Sequence, residues 1–77
     1  MNKLDATLVI LTRNEISGLK ALFNKIPVNS VKEAFAIDYN STDGTLDFFK
    51  KKHIKVIHQQ KKGRAEAFRM GCRNAKF

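Results

Sequence analysis

Three short polar clusters each follow an apolar run, and they hold most of the side chains able to do chemistry: Thr12-Arg13-Asn14-Glu15, Asp38-Tyr39-Asn40-Ser41-Thr42-Asp43, and Gln59 through Arg64. A carboxylate at Asp38, where an apolar run meets solvent, can accept hydrogen bonds from a polar ligand, and Asn14 and Glu15 add further polar edges. Lys62 and Arg64 suit phosphate, the guanidinium because its planar fork donates two parallel hydrogen bonds. The chemistry these types support is the binding of a phosphorylated polar ligand such as a nucleotide.

Fixed points along the chain must place these clusters. Thr7 to Thr12 is β-branched and apolar without alternation, the pattern of a strand covered on both faces. Apolar residues Ile16, Leu19, Leu22, Phe23 and Ile26 follow at helical spacing, with Asn14 as the expected N-cap and Pro27 as the stop. Ala34 to Ile37, ending at Asp38, predicts a second strand, and Ser41 as N-cap predicts a second helix over Thr42–Lys52, with Asp43 at the positive end of its dipole. Ile54 to His58 predicts a third strand, and a third helix is expected over Arg64–Asn74 with Ala65, Phe68, Cys72 and Ala75 on its apolar face. The sum is an α/β chain, βαβαβα, the Rossmann-like half of a doubly wound fold with a parallel sheet in the order 3-2-1. In that order the most apolar strand is an open edge that expects a neighbour, so the 77 residues are expected to form a single partial domain, truncated from a longer one.

Composition narrows the partners. Fifteen Lys and Arg against seven Asp and Glu give a formal charge of +8, a potential that attracts phosphates, nucleic acid or anionic lipid. The single cysteine, Cys72, excludes a disulfide framework and a cysteine zinc site, and with no signal-peptide core the expected location is cytoplasmic. The first loop has no G-x-G-x-x-G, no P-loop sequence occurs, and His53 and His58 lack a nucleophile elbow, which excludes dinucleotide, Walker and Ser-His-Asp chemistry.

Taken in order, the three clusters resemble the N-terminal half of inverting family 2 glycosyltransferases of GT-A fold, dolichyl-phosphate mannose synthase-like enzymes among them. The family patterns V-I-P-x-Y-N-E, D-D-G-S-T-D-G-T and G-K-G-x-A-x-R-x-G correspond here to Val9 through Glu15, Asp38 through Thr45, and Gly63 through Gly71. Leu11 and Arg13 stand where the family has proline and tyrosine, Tyr39 and Asn40 where it has a second aspartate and glycine, and Arg64-Ala65 where it has Lys-Gly. The resemblance implies a nucleotide-sugar pocket lined by Thr12, Arg13, Asn14, Glu15, Asp38, Asn40, Lys62, Gly63 and Arg64, with Asp38 on the base or ribose. It implies a UDP- or GDP-sugar donor and an acceptor such as a polyprenyl phosphate, reached at the inner membrane face. It also implies a divalent metal, Mg or Mn, for the complete enzyme. The family's D-x-D and catalytic base lie on later segments than these residues, so nucleotide binding without turnover is expected. The alternative that the charges leave open is a non-enzymatic basic α/β module using Lys50 to Lys52 and Lys61 to Arg64 on anionic membrane or, less expectedly, nucleic acid.

Overall fold

A computed structural model describes residues 3–77. Three strands, β1 (Leu4–Thr12), β2 (Val31–Asp38) and β3 (Lys55–His58), alternate with three helices, α1 (Ile16–Leu22), α2 (Thr45–Lys51) and α3 (Arg64–Asn74). The sheet is parallel throughout, in the order β1-β2-β3, which is 3-2-1 read from the far edge. Thr12 is in register with Asp38, and Asp38 with His58, so the three strands end side by side. Backbone bonds carry the alignment one residue further: the Tyr39 N–H donates to the Thr12 carbonyl at 3.0 Å and the Gln59 N–H to the Asp38 carbonyl at 2.8 Å.

Helices pack on both faces of the sheet, but coverage is full only over the central strand β2; β1, expected to be covered on both faces, is half-buried with Leu11 exposed, because it is an edge strand. On one face Leu19 of α1 and Phe49 of α2 pack on Ala36, with Ile10, Phe23, Phe48, Ile54 and Val56 around them. On the other, Ala67 of α3 packs on Phe35 and Ile37, with Val9, Ile57, Met70 and Ala75. The wholly buried Phe49 and Ile37 each contribute about 2–3 kcal/mol of burial free energy. The chain thus changes face after β3, and α3 runs back over β2 and β1, bringing Gly71 up to Val9 and Ile37.

Element order and the bounds of α3 agree with the sequence reading, while three local expectations need correction. The first helix ends at Leu22, and Phe23–Lys25 tightens into a 3-10 turn. There the Phe23 ring meets Phe48 edge to face, with centroids 5.3 Å apart, so Phe23 serves tertiary packing at the turn. The second helix begins at Thr45, because Gly44 holds φ 98°, a left-handed conformation that a right-handed helix cannot contain. On α3 the inward residues are Ala67, Met70 and Gly71, whereas Phe68 is 71% exposed and Cys72 is exposed. Small residues carry the contact because they let the helix axis approach the sheet.

β1 is an edge of the sheet. Beside it Val9, Leu11, Phe68, Cys72 and Phe77 line an apolar groove of about 350 Å³. The chain returns to this edge at its last residues, where the Lys76 N–H donates to Glu33 Oε1 at 2.7 Å and the Phe77 N–H to Thr7 Oγ1 at 3.2 Å. No helix among the described residues is long and apolar enough to cross a membrane.

Candidate functional site

The polar clusters occupy the carboxyl ends of the strands, the edge at which open α/β sheets bind ligands. The second loop is built on Asp38, whose side chain is wholly buried. Its Oδ1 accepts from the Thr12 hydroxyl at 2.7 Å and from the Ser41 hydroxyl, and its Oδ2 accepts the Ser41 N–H at 3.0 Å. A buried carboxyl requires such partners, since leaving it unsatisfied costs several kilocalories. Ser41 is therefore no helix cap: its Oγ also accepts the Asn14 N–H at 2.8 Å and ties the second loop to the first.

The same exchange runs through the other residues. Asn14 adopts φ 52°, a left-handed conformation Asn tolerates better than most residues. Its Oδ1 accepts the Thr42 N–H at 2.8 Å, so it bridges loops instead of capping α1. The cap of α1 comes from elsewhere in the chain. Asp43 Oδ2 accepts the Ile16 N–H at 3.1 Å, and the wholly buried Thr45 accepts the Glu15 N–H at 3.0 Å. Asp43 Oδ1 meanwhile accepts from the Thr45 hydroxyl and amide. First and second loops are thereby one hydrogen-bonded body.

The Thr45 hydroxyl bond, the largest influence, holds the Asp43 carboxyl below its ordinary value of 3.8; desolvation opposes it, and weaker amide bonds from Ile16 and Thr45 reinforce it. A depressed carboxylate pKa gives stability that is complete above the unfolded value and is lost as pH falls through the lower folded value. The expected result is that exchange of the Ile16 and Thr45 amides speeds up as pH falls below 3.8, after correction for intrinsic rates. Asp43→Asn should abolish that dependence, and an unchanged profile would remove Asp43 from this role.

The third loop is held by Gln59, which is 8% exposed and whose Nε2 donates to the carbonyls of Lys61 at 2.6 Å and Gly63 at 2.9 Å. Gly63, at φ 119°, makes the turn into α3 in a region L side chains rarely enter. These contacts set Lys62 and Arg64 at the N-terminus of α3, where free backbone N–H groups and the helix dipole favour an anion.

Between the loops lies a cleft of about 610 Å³, lined by Thr12, Arg13, Glu15, Tyr39, Gln59, Lys62, Gly63 and Arg64 over a floor of Leu11 and Ala67. Six of the nine residues expected from the sequence are on this lining. Asn14, Asp38 and Asn40 are not: Asp38 lies beneath it, Asn14 bridges behind it, and Asn40 is an exposed loop residue at φ 50°. Tyr39 and Gln59 complete the wall without having been singled out. Tyr39 could have been, because an aromatic that directly follows a strand-end carboxyl belongs to the loop edge and not to the core. Gln59 gave no signal, since its role depends on carbonyls that only the folded loop presents.

Glu15 is the single carboxylate on the cleft lining, and no three His, Cys, Asp or Glu side chains converge anywhere among the described residues. The residues present therefore do not compose a divalent-metal site. What they can do is bind: a cationic end at Lys62, Arg64 and the start of α3, and a flat polar end at Arg13 and Tyr39.

A three-stranded parallel α/β sheet with a cleft at the carboxyl ends of its strands is the arrangement at which open α/β folds collect ligands. The sequence pattern described as Glycosyl transferase family 2 matches residues 7–76, nearly the whole chain, and the chain belongs to that family. No curated protein and no solved structure matches it significantly.

Proposed function

We propose that the cleft holds the nucleoside diphosphate of a sugar donor, UDP- or GDP-linked, for transfer of the sugar to an acceptor such as a polyprenyl phosphate. The observation that carries this reading is the convergence of three βα loops on one cleft whose cationic side, Lys62 and Arg64, coincides with the N-terminus of α3. A diphosphate there gains backbone donors, the helix dipole and two side-chain cations together. Family membership supports a sugar nucleotide over other diphosphates, and the GT-A arrangement of the complete domain is part of the same proposal. Asp38 acts mainly from below, fixing Thr12 and Ser41, since its side chain is wholly buried and three hydrogen bonds from those two residues already occupy it. A lipid-linked acceptor would bring the chain to the cytoplasmic face of a membrane as a peripheral protein.

Titration of the full chain with UDP and GDP, followed by amide NMR, tests the reading. Shifts are expected in Arg13, Glu15, Lys62, Gly63 and Arg64, saturating in the micromolar to low millimolar range. Absence of shifts at millimolar nucleotide in a folded sample would refute it. Binding to unrelated polyanions that falls steeply with salt and is not displaced by UDP or GDP would instead identify a basic module.

A further inference from the structure

We infer that Tyr39, backed by Arg13, is the seat of the nucleobase, so that the cleft reads its ligand from two ends: base on Tyr39, diphosphate at Lys62 and Arg64. The inference rests on the nucleotide reading above and goes beyond it by assigning the end that recognises the base.

Tyr39 is the one aromatic side chain on the cleft lining. It is half-buried, and its backbone is tied to β1 by the bond from its N–H to the Thr12 carbonyl at 3.0 Å. The Arg13 guanidinium carbon lies 5.2 Å from the ring centroid, the distance of a cation–π contact. Arg13 is exposed and has no carboxylate partner among the described residues, and its role on the ring is to hold the side chain at the cleft wall. An aromatic ring held by a guanidinium is a stacking surface for any base, because every base has a π face, and Arg13 also offers N–H donors to base carbonyls. The third-loop part of the lining, Lys62 to Arg64, has no ring and is cationic. A nucleoside diphosphate has a flat part for the Tyr39 ring and an anionic part for Lys62 and Arg64.

The composition supplies a clean probe. Tyr39 is the only tyrosine and the chain has no tryptophan, so in protein labelled at tyrosine alone the ring NMR signals report this side chain without assignment. Titration with UDP or GDP is expected to move the ring signals upfield through the ring current of the stacked base, whereas inorganic pyrophosphate should move the Lys62 to Arg64 amides and leave the ring unmoved. Tyr39→Leu is expected to weaken UDP or GDP about tenfold, in line with typical base–aromatic stacking, while pyrophosphate affinity changes less than about twofold on the same measure. Tyr39→Phe should restore nucleotide affinity. Nucleotide binding with a stationary Tyr39 ring, or with equal losses of UDP and pyrophosphate in Tyr39→Leu, would overturn the base seat while leaving the nucleotide site standing. No binding of either nucleotide to the native chain would overturn both.

Discussion

Asp38→Ala is expected to cost about 3 kcal/mol of folding stability, from the loss of hydrogen bonds to a buried carboxyl. The substitution removes the common acceptor of the Thr12 hydroxyl, the Ser41 hydroxyl and the Ser41 amide in a site that is wholly buried. The Thr12 hydroxyl, on a buried residue, is then left without its partner, while the half-buried Ser41 loses its tie to the sheet. A 77-residue chain has little stability in reserve, and for a domain of this size the loss corresponds to about 15 °C in melting temperature. Thr12→Val removes one of the bonds and should cost about 1 kcal/mol. Thermal unfolding followed by circular dichroism checks both. An Asp38→Ala protein melting within about 3 °C of the native chain would mean that the second loop is held by other means.

Charge reversal at the other end of the cleft should spare the fold and remove the ligand. The pair Lys62→Glu and Arg64→Glu is expected to weaken UDP, GDP and pyrophosphate alike by about 100-fold or more, because charge-assisted bonds to phosphate are lost and repulsion replaces them. Both residues are exposed and neither forms a salt bridge among the described residues, so the melting temperature should hardly move. Calorimetric titration at fixed ionic strength measures the effect. A loss of less than about threefold would place the diphosphate away from the start of α3. The pair and Tyr39→Leu are complementary: one should abolish binding of every diphosphate, the other only of those that carry a base.

The parts of the molecule legible in the sequence are those fixed by short-range pattern. Thr7 to Thr12 and Ala34 to Ile37 could be recognised as strands because an unbroken β-branched and apolar run has few other uses, although only the second is a buried one: Thr7 to Ile10 are half-buried and Leu11 is exposed. Arg64–Asn74 could be bounded because Gly63 marks its start. What was not legible depends on partners distant in the chain. Ser41 and Asp43 have the composition of helix caps, yet Ser41 serves Asp38 and Asn14, and Asp43, besides accepting the first amide of α2 as expected, also caps α1 before it in sequence. Local propensity shows the bond to the next helix but not the one to the previous helix. The inward face of α3 was misassigned for a related reason: the face was drawn through the larger Phe68 and Cys72, whereas the small Ala67 and Gly71 are the residues that let the helix lie against the sheet. For the site, the three loops and six lining residues could be read from their positions after the strands. The partition between lining and foundation could not, because burial of Asp38 beneath Thr12 is a property of the closed loop.

The cross-loop capping of α1 has a consequence in time. A seven-residue helix containing Gly18 is far below the length at which an isolated segment is stable in water. The acceptors for the Glu15 and Ile16 amides lie on Thr45 and Asp43, 30 and 27 residues later. During synthesis these groups are made after α1, so the helix has no side-chain cap until the second loop is present. The first helix in the sequence thus depends for its capping on contacts made far along the chain, and its order is tied to that of the second loop.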